Sequence, residues 1–220
     1  MSRALSTARI FIVDDHPLVR EGLHLRISNQ PDWVVCGEAA GEEEAFAAIL
    51  EEKPDLAIVD ITLMHGHGLE LIKRLKAHSP QTKILVVSGH HESLYAERAL
   101  RAGAIGYLNK QESQTKLLDA IRVTLAGERF IGPEISQRLI GKAIGSTVAT
   151  PSPIESLTDR ELEIYQLIGR GTATGAIAEA LFLSCHTIDS HRENIKRKLG
   201  IKSGSELNRS AVEWVIQNQM

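Results

Sequence analysis

Between residues 9 and 129, short apolar runs alternate with segments whose apolar positions recur at helical spacing. The runs are "IFIVDD" (10–15), "WVVCGEA" (33–39), "DLAIVD" (55–60), "KILVVS" (83–88) and "AIGYLNK" (104–110). Between them lie "PLVREGLHLRISNQ", "GEEEAFAAILEEK", "GLELIKRLKAHS" and "SLYAERALRAG", and "QTKLLDAIRVTLAGE" closes the series. Leu69, Ile72 and Leu75, like Leu117, Ile121 and Leu125, fall on single helical faces. Strict strand–helix alternation predicts a five-stranded parallel, doubly wound sheet, and near-continuous Val/Ile/Leu runs suit strands buried on both faces.

The pattern changes after Phe130. "GKAIGSTVATPSPIES" (141–156) is rich in Gly, Ser, Thr and Pro and reads as a linker, with room for a short helix in the preceding "PEISQRLIGK". Residues 157–220 read as all-helical. "LTDREL" combines a capping box, Thr158 with Glu161, and a hydrophobic staple, Leu157 with Leu162. A helix is expected to about Gly169 and a short one near residues 174–181. Ser184 then caps a longer helix reaching Leu199, and a last helix from about Ser205 carries Leu207, Ala211, Trp214 and Val215 on one face. The expected organisation is an α/β domain over 1–130, a linker over 131–154 and an all-α domain over 155–220.

With 220 residues, 43% hydrophobic and 24% charged, the chain has the composition of a soluble globular protein. A net charge of −3 gives no bulk attraction to nucleic acid or membranes. Cys36 and Cys185 share no CxxC spacing, which argues against a disulfide scaffold or zinc ribbon and fits a reducing compartment. No apolar run approaches the roughly 20 residues of a membrane span, and "MSRALSTAR" lacks a signal-peptide core. A cytoplasmic protein without a membrane partner is expected.

In an open parallel sheet, ligands bind beyond the carboxyl ends of the strands. Four of the five runs end there in polar residues: Asp14 with Asp15, Asp60, Ser88 and Lys110. A single Asp after a strand is commonly a turn or cap residue. Three carboxylates converging on one crevice are different, because their repulsion calls for a counter-charge. Mg²⁺ supplies one through oxygen ligands, Lys110 adds a fixed positive charge and Ser88 a hydroxyl. That set suits phosphoryl transfer, in which positioning and charge neutralisation dominate. A carboxylate can itself be the nucleophile. Asp60 is the candidate, because it stands alone on its strand and precedes the Gly-containing loop "ITLMHGHG"; Asp14 and Asp15 then hold the metal.

"VDDHPLVREGL", "PDLAIVDITL", "GLELIKRL", "ILVVSGH", "YAERALRAGAIGYLNK" and "LLDAI" stand in the order found in the receiver domain of two-component response regulators, which the first 130 residues resemble. The resemblance implies a flavodoxin-like fold, Asp60 as phospho-acceptor, and Mg²⁺ bound by Asp15, Asp14, Asp60 and the Thr62 carbonyl. It further implies Ser88 as switch hydroxyl, Lys110 as phosphate-pairing lysine, Tyr107 as the aromatic that repacks, and a sensor histidine kinase as donor. Two positions depart from the pattern: Met64 where many receivers carry Pro, and Gln111 where many have a proline after the lysine through a cis bond. The first is expected to alter loop stiffness and phosphate lifetime. His65 and His67, with His90 and His91, raise a transition-metal reading, but imidazoles in exposed loops beside an anionic site are the simpler expectation.

"LTDRELEIYQLIGRGTATGAIAEALFLSCHTIDSHRENIKRKLGI" resembles the LuxR-type helix-turn-helix, which places the whole chain near the NarL/FixJ subfamily. A short helix, a tight turn near "FLS" and a longer helix set a recognition helix in the major groove of double-stranded promoter DNA. On that helix Asp189, Ser190 and Glu193 are the candidates to face base edges, while Arg192, Lys196, Lys198 and Lys202 are phosphate candidates and Thr187 adds a hydroxyl. Acidic residues can accept from cytosine N4; the alternative for Asp189 and Glu193 is helix-dipole complementarity and ion pairing. From residue 151 onward eight Lys or Arg face nine Asp or Glu, whereas residues 184–202 carry five against two. Positive charge is therefore local and non-specific affinity weak, so a homodimer on two half-sites is expected; the last helix's apolar face is a candidate surface for it, the alternative being packing against its own domain, which must claim at least part of that face. The scaffold helix departs from the family at Ala173-Thr174-Gly175-Ala176, losing the usual capping box and lysine, with Thr172 or Thr174 left to cap it.

These expectations describe a transcription factor rather than an enzyme, switched by phosphorylation. One alternative is a transcription factor whose receiver responds to protein contacts alone. Another is a Mg²⁺-dependent phosphohydrolase, which needs a general acid where Thr62 stands. A flavin-binding module fits poorly, because the loop after the first strand is acidic.

Overall fold

The computed structural model describes residues 7–89, 92–112, 114–143 and 153–218. The chain divides into two compact units, residues 1–140 and 141–220. His90, His91 and most of the Gly/Ser/Thr/Pro stretch lie outside the described residues.

The first unit is a five-stranded parallel sheet in the order β2-β1-β3-β4-β5. Its strands are β1 (Ala8–Val13), β2 (Trp33–Ala39), β3 (Leu56–Val59), β4 (Lys83–Ser88) and β5 (Gly106–Asn109). Helices α1 (Pro17–Ser28), α2 (Glu42–Glu52), α3 (Gly68–His78), α4 (Glu92–Ala102) and α5 (Gln114–Leu125) connect and follow them. Alternation along β1 explains the two layers. Ile10 and Ile12 pack with Leu23 and Ile27 of α1 and with Leu117 and Ile121 of α5. Phe11 and Val13 point the other way and are equally buried, on the side where α2, α3 and α4 lie against one another.

Beyond β5, Phe130 bridges to Gly106, and its carbonyl accepts from the Tyr107 N–H at 2.8 Å. "PEISQRLIGK" forms α6 (Pro133–Ala143). This helix opens beside Gly132, whose N–H donates to Glu92 at 2.7 Å. It buries Ile135 and sets Arg138 3.3 Å from the buried Glu97 of α4.

The second unit holds a short 3-10 turn (Pro153–Ser156), α7 (Asp159–Gly169), α8 (Thr174–Ala180), α9 (Cys185–Leu199) and α10 (Gly204–Asn218). Its core includes Leu157, Leu162, Tyr165, Ile177, Ile188, Ile195, Leu207, Ala211 and Val215. Both halves of the capping box on α7 form: the Glu161 N–H donates to the Thr158 hydroxyl, and the Thr158 N–H donates to the Glu161 carboxylate at 2.7 Å. The expected cap of α8 does not form, since Ala173 occupies the N-cap without a side-chain bond from Thr172 or Thr174. Ser184 caps α9 as expected, accepting from the Thr187 N–H at 3.0 Å. Of the face expected on the last helix, Leu207, Ala211 and Val215 are buried within this unit and Trp214 lies against Tyr165, with ring centroids 5.7 Å apart.

Burial alone would raise the Glu161 pKa, but the Lys198 ammonium at 2.6 Å and the Thr158 N–H outweigh it and hold the carboxyl below its ordinary value of 4.5. A depressed folded pKa stabilises above the unfolded value, and that contribution is lost as pH falls through the folded one. Glu161→Gln is expected to weaken hydrogen-exchange protection of the α7 amides by about 1–2 kcal/mol at neutral pH. The gap to wild type closes as pH drops below 4.5.

Candidate phosphoryl-transfer site and nucleic-acid interface

Parallel register brings the acids together. Val13 pairs with Val59, so Asp14 and Asp60 emerge side by side, and the Asp60 N–H donates to the Val13 carbonyl at 2.8 Å. Val59 pairs with Val86, and Ser88 pairs with Asn109, which carries Lys110 to the same edge. The Lys110 ammonium lies 2.6 Å from Asp14 Oδ2 and 2.6 Å from Asp60 Oδ2. Asp14, Asp60 and Ser88 are all buried.

Asp14, Asp15, His16 and Asp60 each bring a ligand atom within 4.8 Å of the others. Three carboxylates against one ammonium leave the cluster anionic if all are ionised. One oxygen, Asp15 Oδ1, is buried without a hydrogen bond, although His16 Nδ1 approaches to 2.7 Å. The short distance lacks hydrogen-bond geometry, so the oxygen remains unsatisfied. An unsatisfied carboxylate oxygen in an anionic crevice of oxygen donors fits a hard divalent cation.

Burial raises the Asp60 pKa despite the adjacent Lys110 ammonium. For Lys110 burial acts downward, but Asp60 and Asp14 prevail and its pKa rises. The Ser88 hydroxyl hydrogen-bonds Asp60 and reaches the Tyr107 phenol. Burial pushes the Tyr107 pKa upward, and its ring is already turned inward, 1% exposed. Thr62 is exposed and bridges to His67 across the loop after Asp60. Gly68 closes that loop, because a Cβ there would collide with the Asp60 carbonyl oxygen. The Lys110–Gln111 peptide is not cis, and Met64 is exposed.

The structure adds residues that sequence reasoning did not assign. His16 joins the acidic cluster, and its N–H donates to Asp14 at 2.9 Å. Arg20 donates to the Asp14 carbonyl at 2.7 Å. His67 corrects an expectation: it is buried, not an exposed loop imidazole, and its Nδ1 caps α3 by accepting from the Leu69 N–H at 3.1 Å. Its position just before "GLELIKRL" was the available signal, because a side-chain acceptor there can meet the helix's first N–H groups.

On α9, Asp189 and Ser190 are exposed, with Ser190 donating to the His186 carbonyl. Glu193 pairs with Lys196 at 2.8 Å, as the ion-pair alternative anticipated. Arg192 donates to Asn208 of α10 at 3.0 Å, and the Thr187 hydroxyl lies 2.8 Å from the capping Ser184 hydroxyl. Lys198 turns back to Glu161, while Lys202 is exposed just beyond the helix.

Residues 10–122 match the family described as "Response regulator receiver domain". Residues 155–211 match "Bacterial regulatory proteins, luxR family". The oxygen regulatory protein NreC of Staphylococcus aureus is 34% identical over 217 residues, covering 96% of this chain and 98% of that protein. A LuxR-family two-component response regulator from Aurantimonas sp. SI85-9A1 is 37% identical, with a TM-score of 0.58 over 63% of this chain and 99% of that one. RcsB from Salmonella enterica serovar Typhimurium, in complex with promoter rprA and the phosphomimetic BeF3-, is 26% identical, with a TM-score of 0.63 over 92% of this chain and 97% of that one. With the acids and lysine gathered at the carboxyl ends of the strands and a helix-turn-helix unit following in the sequence, the chain belongs to the two-component response regulators of the NarL/FixJ type and is a transcription factor built from a receiver and a luxR-family DNA-binding domain.

Proposed function

We propose that a sensor histidine kinase phosphorylates Asp60, and that this controls homodimerisation and sequence-specific binding to promoter DNA. The observation that carries the reading is the Lys110 ammonium, 2.6 Å from both Asp14 and Asp60 with Ser88 bonded to the same carboxylate. Asp14, Asp15, Asp60 and the Thr62 carbonyl would hold Mg²⁺. When bound, the ion neutralises charge on the transferring group's oxygens. Asp60 supplies the attacking oxygen: an O–P bond forms as the donor's bond to phosphorus breaks, and Lys110 and Ser88 are placed to pair with the new phosphoryl oxygens.

Output leaves through β5. Pulling Ser88 and Lys110 toward a phosphoryl group disturbs Tyr107, whose backbone is bonded to Phe130. Phe130 leads into α6, and α6 is tied to α4 through Arg138–Glu97. An equilibrium between receiver conformations is thus biased at a helix that follows the sheet edge.

The apolar face expected for pairing is taken up by its own unit, with Leu207, Ala211 and Val215 buried; pairing is instead assigned to the outer face of α10, where Val212 and Ile216 are 39% and 56% exposed. DNA contact is assigned to α9 and its flank, with Thr187, Asp189, Ser190, Arg192, Glu193, Lys196, Lys198 and Lys202 as candidates. Lys198 has the least freedom because it already serves Glu161. Among the described residues no helix is long and apolar enough to cross a membrane; a cytoplasmic location is part of this reading.

Mass spectrometry of the chain treated with acetyl phosphate and Mg²⁺ is expected to find one phosphoryl adduct, absent in Asp60→Asn. An adduct that survives the substitution contradicts the assignment. In selection of bound DNA, phosphodonor is expected to tighten binding; equal binding favours control by protein contacts alone. Lys202→Ala should weaken binding to all sequences and reduce the salt slope by about 1. Asp189→Ala should instead relax preference at one base pair by about 1–3 kcal/mol.

A further inference from the structure

The loop after Asp60 carries no proline at Met64, yet it is tied down from outside by α2. The N-terminus of that helix lacks a side-chain cap at Gly41. Its Glu42 N–H instead donates to the His65 carbonyl in the loop at 2.8 Å. The Glu42 side chain, 14% exposed, returns the contact: one carboxylate oxygen accepts from the His67 N–H at 3.0 Å and the other from Arg74 of α3 at 2.8 Å. Gly66, at φ +103°, lets the chain pass against Glu42, where a Cβ would collide with that side chain. Arg74 is itself fixed, pairing with Glu43 at 2.6 Å and lying 4.1 Å over the Phe46 ring. The far end of the loop is thereby held by one carboxylate shared between a backbone N–H and a stacked guanidinium.

We infer that Glu42, held by Arg74, is a positioning residue for phosphoryl transfer at Asp60. The inference rests on Asp60 being the acceptor. In the transfer from acetyl phosphate, an Asp60 carboxylate oxygen bonds to phosphorus as acetate leaves with the electrons of the broken P–O bond. The receiving crevice is walled on one side by residues 61–67, the segment that presents Thr62. Glu42 sets where that wall stands without touching the reacting atoms. It acts on orientation, so it governs the rate of the bound complex more than the binding of the donor.

Full-length wild type, Glu42→Gln, Glu42→Ala and Arg74→Lys are compared for initial phosphorylation rate across acetyl phosphate concentrations at fixed Mg²⁺, with thermal unfolding recorded for each. Glu42→Gln keeps the shape and guards against misfolding. Both Glu42 variants are expected to lose about three- to tenfold in maximal rate, with the half-saturating concentration moving by less than about twofold. Arg74→Lys is expected to fall with them, because an ammonium cannot reproduce the stacked fork. A maximal rate unchanged in Glu42→Gln, or a loss matching only the fraction of unfolded protein, overturns the inference while leaving Asp60 in place. Absence of phosphorylation in wild type removes the Asp60 reading and this inference with it.

Discussion

Lys110 stands between the two buried carboxylates of Asp14 and Asp60, and the rest of the receiver is arranged so that it can. Parallel register forces those acids side by side at the ends of two adjacent interior strands, β1 and β3. Burial raises the Asp60 pKa, and the Lys110 ammonium relieves only part of that cost. Removing one partner of such a buried pair typically costs about 3–5 kcal/mol, because the remaining charge is left uncompensated. Asp15 Oδ1, buried without a hydrogen bond in the same crevice, leaves an oxygen open to a further positive charge. The proposed switch would draw on the same tension, because a phosphoryl group would compete for Lys110 and Ser88 beside Tyr107, whose N–H is bonded to the Phe130 carbonyl.

Much of this was legible in the amino-acid order. The strand runs ended in acids and a lysine, and parallel sheets place such ends at one edge. Thr158 with Glu161 announced the start of α7, because the capping box is a purely local device. What escaped was tertiary. Glu42 lies 25 residues from His67 and 32 from Arg74, so no local pattern couples them. Lys198 reads as a phosphate candidate, and its bond to Glu161, 37 residues away in the same unit, is not visible in either local pattern. His67 read as an exposed loop residue because it stands between Gly66 and Gly68, whereas the turn into α3 buries it.

The two units divide the labour by physical means. In the first, three carboxylates gather around the single Lys110 ammonium. In the second, ion pairs are mostly spent internally: Lys198 on Glu161, Lys196 on Glu193 and Arg160 on Glu163. That leaves a modest excess of positive charge along residues 184–202. Weak single-copy attraction to phosphates would make DNA binding sensitive to the pairing proposed above.

The central claim is that the carboxylate cluster at the sheet edge is a divalent-cation site. Calorimetric titration of the full chain with Mg²⁺ tests it most directly. The account predicts a single site per chain that is lost in Asp15→Asn, with the thermal unfolding of that variant otherwise like wild type. An undiminished binding isotherm in Asp15→Asn would contradict it.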